Sequence, residues 1–184
     1  MTSKPLADLT GHYVLDPAHT SIAFVARHAM VTKVRGTFRE FDGTADLDGS
    51  EPGKSWAKVT IQAASIDTGN EQRDGHLRTN DFLDAPGFPE ITFTSSGVSQ
   101  LDETRYRVEG DLSIKDVTRP VGIDFEFMGS ATDPFGNRRV GFEGAVTISR
   151  KEYGITWNAA LEGGGVLVGD KVVLEFDVSA IKQD

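Results

Sequence analysis

The chain has 184 residues, no cysteine, and 28 acidic against 19 basic side chains, a net charge of −9. That length suits one domain with a core of its own, and the absence of thiols excludes disulfides, thiolate metal sites and cysteine nucleophiles. The acidic balance disfavours nucleic acid and strongly anionic membrane surfaces as partners, because both are bound through basic patches.

Residues 1–11 read as a flexible N-terminal tail and residues 12–182 as a single domain. The first residues, Met1 to Thr10, hold no apolar run of signal-peptide length, and no later segment has the length of a membrane span. With Met1 as the native start, a cytoplasmic protein is expected; a chain trimmed of a leader would be secreted.

Most of the remaining sequence alternates with a period of two, as half-buried strands do. Ile22, Phe24 and Ala26 share one face. Val34, Gly36 and Phe38 begin a longer strand that changes face near Arg39–Phe41, as a bulge would make it do. Ala57, Val59 and Ile61 form the next apolar face, and Ile91 and Phe93 mark a further strand. Four strands follow on the faces Tyr106–Ile114, Val121–Phe127, Val140–Ile148 and Val172–Val178. Parallel sheets would show unbroken apolar runs and crossover helices, so an all-β antiparallel sheet is expected, closed into a barrel or paired as a sandwich. Gly36, Gly110 and Gly144 fall on the apolar faces, where glycine allows close approach.

One segment departs from alternation. Thr68 and Glu71 have the spacing of a capping box, and Asp74 and Arg78 stand four apart, so one short helix is expected at roughly residues 70–79. Leu77, with Phe82 after it, either closes one end of the barrel or belongs to a plain surface crossover. The loop at 48–55 and the turn around Asp133-Pro134-Phe135-Gly136-Asn137 are hairpin connections.

Candidate chemistry is sparse. His12, His19, His28 and His76 show no metal-ligand spacing, and no metal or cofactor is expected. His19 fits a turn network with Asp16, and His28 fits the mouth of a barrel. Ser21, His19 and Asp16 lack the elbow of a hydrolase, and Glu162-Gly163-Gly164-Gly165 lacks the Lys-Ser/Thr of a phosphate loop. Arg73, His76 and Arg78 form the densest polar cluster, readable as a rim for an anionic head group or as structural salt bridges. An eight-stranded barrel either fills itself with side chains or holds one small ligand, and composition alone leaves both open.

The residues Tyr13-Val14-Leu15-Asp16-Pro17-Ala18-His19-Thr20-Ser21, Val34-Arg35-Gly36-Thr37-Phe38, Ser65-Ile66-Asp67-Thr68-Gly69, Arg73-Asp74-Gly75-His76-Leu77-Arg78, Phe88-Pro89-Glu90-Ile91-Thr92-Phe93, Gly110-Asp111-Leu112-Ser113-Ile114 and Arg150 to Gly154 resemble, in order, the YceI-like family. Asp116 stands where the family carries a glycine, in a turn. The resemblance implies an extended lipocalin-like eight-stranded antiparallel barrel that binds a polyisoprenoid or similar amphiphile, and it makes a homodimer an expectation. The ligand would then be lined by Phe24, Ala26, His28, Val34, Phe38, Val59, Ile61, Phe93, Leu112, Ile123, Phe125, Phe142, Val146 and Phe176, with Leu77 and Phe82 at one end. Burying ten methylenes is worth roughly 8 kcal/mol before the entropic cost of binding, so no head-group motif is required. A ligand-free stress or interaction module is the alternative, and an enzyme using His28 or His76 on an amphiphile is a third reading.

Overall fold

The structure, a computed structural model, describes residues 6–184. Eleven strands form one antiparallel sheet: β1 (Gly11–Leu15), β2 (Ser21–His28), β3 (Thr32–Phe38), β4 (Phe41–Leu47), β5 (Trp56–Gln62), β6 (Ile66–Asp67), β7 (Glu90–Gln100), β8 (Arg105–Ile114), β9 (Val117–Thr132), β10 (Arg138–Ser149) and β11 (Val168–Lys182). Eight of them, in the order β1-β4-β5-β7-β8-β9-β10-β11, close into a barrel when β11 pairs back onto β1. The remaining three prolong the wall. Along one edge of β11, β1 and β2 lie end to end: Leu15 faces Ala180 and Ser21 faces Asp177. β3 runs on into β4, and β6 follows β5. Closure removes the long free edges that so many strands would otherwise expose.

The expected change of face between β3 and β4 is present. Phe38 points into the barrel from an even position, whereas Ala45 and Leu47 point inward from odd ones. The break falls at Arg39 and Glu40, whose backbone bonds the start of the next turn: Arg39 N–H to the Ser65 carbonyl and Gln62 N–H to the Glu40 carbonyl.

Two apolar clusters close the ends. At one end Leu6, Leu9, Tyr13, Tyr106, Val140 and Ala180 pack together, and the Tyr13 hydroxyl donates to the Leu9 carbonyl at 2.8 Å. Residues 6–10 therefore form a plug with a short helical turn at Ala7–Leu9, not a loose tail. Leu6 and Leu9 leave water almost completely, and that burial offsets the chain entropy that a free tail would keep. The part of the expected tail at residues 1–5 lies outside the described residues.

The other end is capped by the segment between β6 and β7. Helix α1 spans Glu71–Leu77, shorter than residues 70–79. Its N-cap is Asn70, whose side chain accepts from Arg73 N–H at 2.9 Å, and not Thr68. Thr68 instead donates its N–H (2.9 Å) and its hydroxyl (2.5 Å) to buried Asp74, which replaces the expected Asp74–Arg78 pair. A buried carboxylate requires such donors, and Arg78 lies too far into other contacts to supply them. Phe82, Ala85, Tyr153 and Ile155 pack beneath this cap with Ile61, Ile66, Ile91 and Ile148.

An apolar lumen as the candidate functional site

Between the plug and the cap the barrel is hollow. It encloses a cavity of about 320 Å³, at the lower end of the roughly 300–1,000 Å³ typical of ligand pockets. Side chains at both ends are buried, but the inward-facing Phe24, Val59, Phe93, Phe125, Phe142, Val146, Leu174 and Phe176 are only half-buried. They line the cavity, so their remaining exposure faces the lumen. A filled core would have covered them with 6–12 neighbours each.

The glycines on the inner faces shape this space. A Cβ on Gly144 would lie 2.6 Å from the Phe125 ring, and one on Gly110 would lie 2.6 Å from the Phe93 ring. The Phe24 ring lies over Gly36 in the same way. Each ring occupies space on the neighbouring strand that a side chain would otherwise fill, so the lining stays apolar where the two strands come closest.

Fourteen of the expected lining residues border the cavity: Phe24, Ala26, Phe38, Val59, Ile61, Leu77, Phe82, Phe93, Leu112, Ile123, Phe125, Phe142, Val146 and Phe176. His28 and Val34 do not. His28 is the last residue of β2, beyond the closed wall, and is exposed; Val34 lies opposite Ala26 but on the outermost part of β3. Tyr106, Val108, Ile148 and Leu174 border the cavity too, and the same alternation that selected their neighbours would have found them. Leu6, Pro52 and Trp56 also border it, and no periodicity signals them.

Trp56 marks a seam. The β5–β7 ladder ends at Lys58 opposite Thr94, although β7 runs on to Gln100. Ala57 N–H, next along β5, donates to the Ser95 side chain at 2.8 Å instead of to a backbone carbonyl. Among the described residues bordering the cavity, Trp56 is the one counted as exposed, at 42 %.

The polar cluster of α1 is taken up inside the cap. Arg73 donates to the Thr68 hydroxyl (2.7 Å) and carbonyl (2.9 Å), and Arg78 donates to the carbonyls of Ala64 (2.9 Å) and Ile66 (3.2 Å). His76 bonds Asp81 at 2.8 Å and meets the rings of Phe82 and Trp157 edge-on. None of the three borders the lumen. His19 bonds Asp16 at 2.7 Å, and Asp16 also accepts from Arg139 at 2.6 Å, so this histidine belongs to a turn network. The Gly163–Gly165 stretch is a turn of left-handed residues before β11.

Among the described residues at the cavity wall, one is charged. Arg150 donates to the carbonyls of Gly169 (2.8 Å), Ile155 (2.9 Å), Trp157 (3.0 Å) and Val168 (3.1 Å). Burial pulls its pKa below the usual guanidinium value, against the opposing charge of Asp170. These bonds tie the segment after β10 to the start of β11 and leave the guanidinium engaged with backbone, not with the lumen.

Residues 13–180 match the YceI-like domain. A UPF0312 protein of Staphylococcus aureus (strain USA300) is 39 % identical over 170 residues, covering 92 % of this chain and 95 % of its own. Among solved structures, Burkholderia cenocepacia BcnA superposes with a TM-score of 0.79 at 23 % identity, covering 90 % of this chain and 98 % of its own. A polyisoprenoid binding domain from Saccharophagus degradans, implicated in plant cell wall breakdown, superposes at 0.71 and 14 % identity, covering 93 % and 98 % respectively.

Proposed function

The chain belongs to the YceI-like family, and on that premise we propose that it binds and carries the apolar chain of a polyisoprenoid or similar amphiphile within the barrel. The observation that carries this reading is the lumen itself: a hollow interior lined by phenylalanines and aliphatic side chains, with the one charged residue among the described residues at its wall engaged by four carbonyls. Such a space rewards burial of hydrocarbon and offers little to a polar solute. A fold neighbour described as polyisoprenoid-binding supports the same ligand class. The lumen favours a carrier over an enzyme. His28 and His76 stand away from it, which leaves general acid–base chemistry on a bound chain without its usual donor.

Native mass spectrometry of protein purified from its own host tests the proposal. The expected result is a mass above that of the chain alone, released by organic extraction as an apolar molecule. Protein that is uniformly empty, and that fails to take up a prenyl chain on incubation, overturns it.

A further inference from the structure

The hairpin of β2 and β3 combines three features that do not serve the stability of the fold. First, its turn holds Ala29 and Met30 in succession at φ 50° and 61°, a left-handed conformation that disfavours residues with a Cβ. Second, the tip exposes apolar side chains to water: Met30 is 63 % exposed and Val31 75 %, and Val166 beside them is 38 % exposed. The Ala29 N–H to Leu167 carbonyl bond, at 2.7 Å, holds these two loops together. Third, Arg27 and Lys33 are direct cross-strand partners on the outer face, a like-charge pair that weakens a sheet.

The segment from Ser21 to Phe38 carries Arg27, His28, Lys33 and Arg35 and no acidic residue, in a chain whose net charge is −9. Arg35 reaches Glu175 at 3.3 Å, whereas neither Arg27 nor Lys33 makes an ion pair among the described residues. The hairpin also has an open outer edge. β3 pairs with β6 only at Thr37 and Phe38, which leaves the edge from Thr32 to Gly36 without a strand partner among the described residues. Lysine on a free edge guards against sheet aggregation, which accounts for Lys33. It does not account for Arg27 on the inner strand or for the apolar tip.

We propose that this hairpin docks the protein on an anionic phospholipid bilayer. Met30 and Val31 enter the boundary between head groups and acyl chains, and Arg27 and Lys33 meet the phosphates around them. The bilayer's negative charge relieves the repulsion between the two cations. The rest of the acidic surface is repelled, so the barrel lands in one orientation, with the β2–β3 end facing the lipid. Composition disfavours such a surface for the chain as a whole, but the charges are not evenly spread. Docking is independent of what the lumen carries and is read without cargo, so its failure is distinct from failure of lipid carriage.

The test is flotation with vesicles of phosphatidylcholine mixed with phosphatidylglycerol, against vesicles of phosphatidylcholine alone. The protein is expected to float with the mixed vesicles, and to be released by salt. Each basic residue at such a surface is worth about a five-fold change in partitioning, so Arg27→Glu/Lys33→Glu is expected to lose at least about 25-fold. Met30→Asp is expected to lose binding with an unchanged thermal midpoint, because its side chain is already in water. Lys54→Glu, on the β4–β5 loop, is expected to bind as wild type. Failure of wild-type protein to float, equal flotation with both vesicles, or normal flotation of the double charge variant overturns the proposal.

Discussion

The ring of Phe125 lies over Gly144 on the neighbouring strand, so close that a Cβ at position 144 would stand 2.6 Å from it. The same Cβ would lie 3.0 Å from the Asp124 carbonyl oxygen, which is backbone and yields little. Gly144→Ala is therefore expected to push Phe125 into the lumen. Overpacking of this kind costs about 1–3 kcal/mol. Urea unfolding measures that loss, and titration with a fluorescent apolar probe measures the reduced capacity. Combined with Phe125→Leu, the loss is expected to be less than the sum of the two single changes, since the two residues touch.

A hollow barrel and a filled one respond oppositely to added volume. Val146 borders the cavity and is half-buried. In a filled core Val146→Phe would cost about 1–3 kcal/mol. With open space in front of it, the variant is expected to lose less than about 1 kcal/mol while binding the apolar probe more weakly. A large loss of stability in chemical denaturation would mean that the space is already occupied by side chains.

Arg150 joins four carbonyls from two segments. Hydrogen bonds to a charged group are worth about 1.5–3 kcal/mol each, and a buried acceptor left alone costs more than the bond gained. Arg150→Met is expected to destabilise the fold by at least about 3 kcal/mol. Arg150→Lys is expected to recover little, because an ammonium cannot present the guanidinium fork. Hydrogen exchange is expected to localise the damage to residues 155–170.

Acid is expected to loosen the opposite end first. Burial would raise the pKa of Asp133, but the Asn137 N–H, the Arg139 guanidinium, the Asn137 side chain and the Phe135 N–H outweigh it and hold the carboxyl at about 2. Asp16 is lowered as well, chiefly by the same Arg139 and then by His19. Carboxyls depressed on folding contribute stability above their unfolded pKa, here 3.8, and lose it as pH falls through the folded value. The thermal midpoint is thus expected to drop between about pH 4 and about pH 2, and Arg139→Met is expected to flatten that drop.

The antiparallel sheet, the inward faces of β5 and β8 to β11, and the change of face after Phe38 were legible in the chain, because a pleated strand sends alternate side chains to opposite sides whatever surrounds it. Twelve lining residues followed from that rule alone, and Leu77 and Phe82 came from the helix and the loop after it. His28 obeys the same parity and yet misses the lumen, since parity gives a direction and not a depth along the barrel. The plug of Leu6 and Leu9 and the seam beside Trp56 join residues far apart in the chain, and no local pattern encodes such meetings. Arg73 and Arg78 reach back 5 and 12 to 14 residues, to backbone that no side-chain spacing marks as a partner.

The hollowness was decided by tertiary structure for the same reason. Sequence determined that Phe24, Phe93 and Phe125 point inward. Whether they meet one another or fold aside depends on what stands opposite each ring on the next strand, and Gly36, Gly110 and Gly144 stand there only once the register is set. The residues fixed an apolar interior; the pairing of strands left it open.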